Sequence, residues 1–209
     1  MLGGMLRILV VGLVVLVAAM FMLPRAPSLP VAATLLPETV ALPAVELIDA
    51  TGAPLGLDAF RGRFSLLFFG FTQCPDICPL TLKTLADARA QLVARAPQAV
   101  PQIVFVSVDP GRDTPQRIAE YLGHFDGAFV GATAPDERLK PLLATLGVTV
   151  EKHRHGSDDY TVTHNGTVYV IGPAAELIAV ASGPHDAATL ASDFLKIRQR
   201  YRTAHRGPG

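Results

Sequence analysis

The chain has 209 residues, with 18 Lys and Arg balanced by 18 Asp and Glu, so nothing in its charge points to nucleic acid or to acidic partners. Half of the residues are apolar and 17% are charged, enough for one sizeable core with an appendage. Two cysteines are too few for a disulfide scaffold and too close together to staple distant parts of a fold.

Ile8 to Leu23 is a run of sixteen residues without a charge, preceded by Arg7 and followed by Pro24-Arg25. A spanning helix needs about 20 residues, which Met5 and Leu6 help to supply while Arg7 snorkels. The competing reading is a signal peptide, but Val17-Ala18-Ala19-Met20 is a poor cleavage site and the apolar run continues through it. An uncleaved anchor over residues 1–24 is favoured. Arg7 and the terminal amine lean toward a cytoplasmic N-terminus. With no Arg- and Ser-rich transit sequence before the span, a single pass through a bacterial inner membrane is expected, with the folded part in the periplasm. Residues 25–43 carry Pro27, Pro30, Pro37 and Pro43 and read as a semi-extended, Pro-rich linker.

The folded domain is expected over residues 44–203, followed by a polar tail at 204–209. Val45 to Asp49 is strand-like and ends in a turn at Thr51-Gly52-Ala53-Pro54. Leu66 to Phe71 is almost continuously apolar, as a strand buried on both faces must be. Pro79 suits the first turn of a helix running to about Arg95. Gln102 to Val108 is a second buried strand, and Asp113 or Thr114 caps the helix that follows it, with Pro115 in the first turn. Ala128 to Gly131 reads as a short strand, Asp136 to Leu146 as a helix strained by Pro141, and Val148 to His153 as extended. Thr167 to Ile171 and Leu177 to Val180 flank Gly172-Pro173-Ala174-Ala175 as an antiparallel hairpin. A closing helix from about Asp186 carries Leu190, Phe194, Ile197 and Tyr201 at helical spacing, with Lys196, Arg198, Arg200 and Arg202 as a solvated face. That order predicts an α/β, thioredoxin-like fold with a mixed sheet covered on both faces by helices.

Cys74 and Cys78 then fall on a strand-to-helix connection, where backbone N–H groups and the helix dipole favour thiolate. Four positions apart on a helical turn, their Cα atoms lie roughly 6 Å apart, within reach of a disulfide or of one metal ion. The pair is a redox couple, a metal site, or both. The two parallel strands deliver Cys74 and Asp109 to one sheet edge, and the hairpin strand running the other way starts there, which brings in His164. Two thiolates and one imidazole make a three-coordinate set: the sulfurs favour Cu(I), and the nitrogen keeps Cu(II) acceptable. Zinc in a closed structural site would want a fourth ligand. Asp109 is either an acceptor that orients the site or a turn former before Pro110, and Asp76 is a turn residue. His153 and His155 share a face of an extended segment and read as a solvated edge in preference to a metal-capturing pair. His124, His185 and His205 receive no role, and Met20 and Met22 belong to the apolar span.

Three motifs in order, Gly70-Phe71-Thr72-Gln73-Cys74-Pro75-Asp76-Ile77-Cys78-Pro79, Val106-Ser107-Val108-Asp109-Pro110-Gly111-Arg112-Asp113-Thr114-Pro115 and Asp159-Tyr160-Thr161-Val162-Thr163-His164, strongly resemble the Sco/SenC family. The resemblance covers roughly residues 40–200. It implies a membrane-anchored thioredoxin-like protein that binds copper through Cys74, Cys78 and His164 and takes part in assembling the binuclear copper centre of cytochrome c oxidase. The family commonly has Asp before that His and Ser after it; Thr163 and Asn165 stand there in this chain. The expected function is a metallochaperone for the copper-bearing oxidase subunit, supplied by a periplasmic copper donor. The alternative is a thiol-disulfide oxidoreductase using Cys74 and Cys78, served by a thioredoxin-like reductant and preparing the subunit's cysteines. A peroxidase or redox sensor would need one thiolate singled out by its own arginine, and none is evident.

Overall fold

The computed structural model describes residues 10–13, 28–154 and 160–205. Its elements in chain order are β1 (Ala33–Ala41), β2 (Leu47–Asp49), β3 (Pro54–Leu55), β4 (Ser65–Gly70), α1 (Ile77–Arg95), β5 (Gln102–Ser107), α2 (Pro115–Gly123), β6 (Val130–Thr133), α3 (Asp136–Leu146), β7 (Val150–Arg154), β8 (Tyr160–His164), β9 (Val168–Ile171), β10 (Glu176–Ala181) and α4 (Ala187–Ala204). Among the described residues, β1-β10-β9-β4-β5-β6-β2-β3 form one mixed sheet and β7-β8 a separate antiparallel pair.

The centre of the sheet follows from its apolar runs. All six residues of β4 are buried, and so are all four of β9. Because successive strand side chains point to opposite faces, a strand buried at every position is covered on both sides. β4 pairs parallel with β5, and β5 with β6, while β9 runs antiparallel to β4 and to β10. Leu82, Leu85 and Leu92 of α1 and Phe194 and Ile197 of α4 join Leu67, Phe68 and Val104 in the core. α3 occupies Asp136–Leu146 despite Pro141, the sixth residue of the helix. The α/β architecture with a helix-flanked mixed sheet is therefore as expected.

The linker is not. Ala33–Ala41, read from its prolines as part of a tether over residues 25–43, is the edge strand β1, paired antiparallel with β10 from Ala33 opposite Ala181 to Ala41 opposite Glu176. A strand at the edge tolerates Pro37 because one side of its ladder faces no neighbour, and the register shifts between Leu35 and Val40 where the proline falls. The start of this strand is pinned from the other side of the chain. Asp193 of α4, 1% exposed, accepts hydrogen bonds from the backbone N–H groups of Val31 at 2.8 Å, Ala32 at 2.7 Å and Ala33 at 3.0 Å. Lys196 lies 3.3 Å from the same carboxylate.

Among the described residues no helix is long and apolar enough to cross a membrane. The expected anchor lies outside them apart from residues 10–13, as do His155 and residues 206–209.

Burial opposes charge on Asp193, yet its bonds from Ala32, Ala33 and Val31 outweigh it and hold the carboxyl below the usual range. A carboxyl with a depressed folded-state pKa contributes stability that is present above about pH 4 and lost as pH falls through the folded value. Asp193→Asn is expected to be less stable than wild type by about 1–3 kcal/mol at pH 7, and this gap should narrow on acidification below pH ~4, as read by denaturant unfolding across pH.

Candidate metal centre

The site begins where β4 and β5 leave the sheet together. Gly70 stands opposite Ser107, and the Val108 N–H donates to the Gly70 carbonyl at 2.9 Å, so both chains depart from one row. Cys74 closes a turn by donating its N–H to the Phe71 carbonyl at 3.2 Å, and α1 opens at Ile77. Cys78 lies in the first turn of α1 and is fully buried, whereas Cys74 is partly exposed. Neither is in a disulfide.

Gly70 makes room for the inner sulfur. A Cβ at that position would lie 2.9 Å from Cys78 Sγ and 2.7 Å from Phe105 Cε2, closer than real Cβ contacts come. The floor of the site is aromatic: Tyr121 of α2 packs on Phe105, with ring centroids 6.0 Å apart, and on Phe125 at 5.2 Å. The Tyr121 hydroxyl is buried, and burial pushes its pKa up, with the charges of Cys78 and Cys74 adding to the effect.

The cysteine loop is held to β5 by Asp113, which is 1% exposed. Its carboxylate accepts from the Thr72 N–H at 2.9 Å, the Thr72 hydroxyl at 2.6 Å and the Ser107 hydroxyl at 2.6 Å. Thr114, not Asp113, caps α2, accepting from the Arg117 N–H at 3.2 Å. Asp109 is also buried and reaches the same edge. Its carboxylate takes the Arg112 guanidinium at 2.5 Å and its carbonyl accepts from the Arg112 and Asp113 N–H groups, while Arg112 lies 6.0 Å over the Phe71 ring. Asp109 thus shapes the turn that follows it. Asp76 precedes α1 as its N-cap residue without a side-chain cap bond.

The backbone places His164 as the last residue of β8, opposite Val150. Four residues later β9 starts at Val168, opposite Phe68 of the cysteine strand. The intervening loop meets the cysteine loop: a Cβ on Gly166 would sit 3.0 Å from Cγ1 of Ile77, the residue next to Cys78. On its other side the Gly166 carbonyl lies 2.7 Å from His185 Nε2. His185, given no role from the sequence, thus packs the imidazole-bearing loop into place. His153 lies on β7, opposite Thr161 in the separate β7–β8 pair, and His124 follows α2 as its C-cap.

The expectation that the helix end favours thiolate at both cysteines needs correction at Cys78. Its thiol is pushed well above the ordinary range, first by its hydrogen bond with Cys74, then by burial and by the charge of Cys74. A hydrogen bond with the Phe71 backbone works the other way without reversing the shift. Cys78 therefore keeps its proton in the metal-free protein, and a soft cation that binds both sulfurs must displace it. A cation bound by thiolates fits this donor set.

The SCO1/SenC family model matches residues 37–199. This chain belongs to the SCO1/SenC family. It is 36% identical over 140 residues to the protein sco1 of Schizosaccharomyces pombe, a match covering 66% of this chain and 53% of that protein, about half its length. Among solved Sco structures, Arabidopsis thaliana ScoI with copper bound aligns at TM-score 0.69 and 32% identity, covering 75% of this chain and 98% of that one. Apo Sco1 of Thermus thermophilus aligns at 0.71 and 31%, covering 84% and 99%.

Two outcomes follow from the geometry. In the reduced, metal-free protein, Cys74 is expected to be alkylated well before Cys78, as peptide mapping after brief iodoacetamide treatment will show; equal rates contradict the asymmetry. Gly70→Ala is expected to cost about 1–3 kcal/mol by overpacking against Phe105 and Cys78, measured by denaturant unfolding.

Proposed function

We propose that this protein is a copper metallochaperone, tethered by residues 1–24 to a bacterial inner membrane with its domain in the periplasm. In this reading Cys74, Cys78 and His164 hold the ion. The observation that carries it is the packing of the Gly166 loop, two residues beyond His164, against Ile77 between the two cysteines. Support comes also from Arabidopsis ScoI, solved with copper bound, and from the description of Sco as a family of cytochrome c oxidase assembly proteins. The acceptor is accordingly the copper-bearing subunit of the oxidase, and the cargo arrives from a periplasmic donor.

Transfer proceeds by ligand exchange. A three-coordinate ion held by soft ligands leaves room for an incoming thiolate or imidazole to join before a donor lets go. The partly exposed Cys74 is the sulfur that a partner reaches, while the buried Cys78 stays seated against Gly70 until last. As the ion leaves, protons return to the two sulfurs and the hydrogen bond between Cys74 and Cys78 is restored.

That same hydrogen bond favours a second reading, a thiol-disulfide oxidoreductase. The Cys74 thiolate attacks a partner disulfide, forming a mixed disulfide and releasing one partner thiolate. Cys78 then loses its proton and attacks Cys74, which frees the second partner thiol and leaves Cys74 and Cys78 oxidised, two electrons having passed to the partner. A thioredoxin-like reductant returns the pair to the dithiol.

His164→Ala separates the two. It is expected to abolish tight copper binding, in titrations of Cu(I) and Cu(II) followed by metal-edge spectroscopy, while disulfide exchange with a model dithiol persists. Unchanged copper affinity rejects His164 as a ligand. Cys74→Ser and Cys78→Ser are each expected to lose both activities, and full copper affinity in either one rejects the two-sulfur site.

A further inference from the structure

The strand that replaces the expected linker fixes where the chain enters the domain. Hydrogen-bond register places Ala33 opposite Ala181, Ala181 opposite Val168, and Val168 opposite Phe68, so these four residues form one row across β1, β10, β9 and β4. Phe68 lies two positions before Gly70, at the edge where the cysteine loop leaves the sheet. The chain therefore joins the sheet at the same edge as the dithiol, three strands away, or about 14 Å at the usual strand spacing. The Asp193 carboxylate, gripping the N–H groups of Val31, Ala32 and Ala33, keeps this junction from fraying back into a long leash.

The remaining leash is short. From Pro24 to Val31 is seven residues, which in any conformation reach at most roughly 25 Å. The start of β4, at the opposite edge of the sheet and three residues before Phe68, is about 10 Å farther along the strand direction. Leu29, Val31 and Leu80, which are 64%, 80% and 60% exposed, add apolar surface near the junction and just beyond Cys78.

We infer that the Asp193 clamp and the edge it pins turn the Cys74–Cys78 loop toward the membrane from which the chain issues, so that the site meets ligands offered close to the bilayer by a membrane-borne partner. This rests on the anchor proposed above. The rival orientation has a physical basis of its own: Arg63, Arg198 and Arg202 line a cavity beside Phe64 and Pro173 at the far edge, a cationic patch that anionic headgroups attract.

The chain has no tryptophan, so a single introduced one is a clean donor. Leu80 and Val93, 60% and 47% exposed, lie on α1 near its two ends. Thirteen residues of helix separate them by about 20 Å. Full-length Leu80→Trp and Val93→Trp would each be reconstituted into vesicles carrying dansylated and anionic headgroups, and energy transfer to dansyl measured. Transfer from position 80 is expected to exceed that from position 93 severalfold, and to fall when a Gly-Ser insert of about ten residues is placed after Ala26 to lengthen the leash. Equal transfer from both positions, or stronger transfer from position 93, overturns the inference while leaving the anchor standing. Failure of the full chain to float with the vesicles overturns the anchor and the inference together.

Discussion

One buried carboxylate keeps the site in one piece. Asp113 comes from the loop after β5, yet two of its three donors belong to Thr72, in the loop after β4. Without that bridge the two loops would be joined at this edge chiefly by the last bonds of the β4–β5 ladder, and the cysteine turn would be free to swing. A buried carboxylate with three donors is satisfied where it stands, and each donor would be costly to strand. The position of Cys78 over Gly70, and of Ile77 against the Gly166 loop, is inherited from that anchorage.

The two sulfurs are not equivalent, and their difference connects structure to chemistry. Cys74 sits on a turn with access to solvent; Cys78 sits within a helix, against an aromatic floor, hydrogen-bonded to its neighbour and holding its proton. In a ligand-exchange protein this orders the release of the donors. In a dithiol reductant it assigns the attacking and the resolving sulfur. The same arrangement serves both chemistries because each requires one accessible and one sequestered thiol.

Much of this was readable in the residues. The apolar runs at Leu66–Phe71 and Gln102–Val108 announced the central strands, and Pro79 marked the helix whose first turn seats Cys78. The limits of α3 were legible even with Pro141 inside it. What escaped has physical causes. Pro37 argued against a strand, but an edge strand with a bulge accommodates proline, so β1 was taken for linker. Asp113 and Thr114 are equally good caps by residue type, and only three-dimensional proximity to Thr72 decides which one turns inward. The direction of the Cys78 shift depends on full burial and on Cys74, neither of which a helix-dipole argument contains. His185 gave no signal because its partner is a backbone carbonyl, which leaves no trace in side-chain patterns.

Both outer strands of the main sheet carry a proline. β1 has Pro37 and a break in register, and β3 is only Pro54 and Leu55. A proline offers no N–H and a bulge twists the ladder out of line, so neither margin presents the continuous row of donors and acceptors on which a second molecule could add its own strand. Neither margin of the main sheet is thus shaped to be extended by the strand of a second molecule.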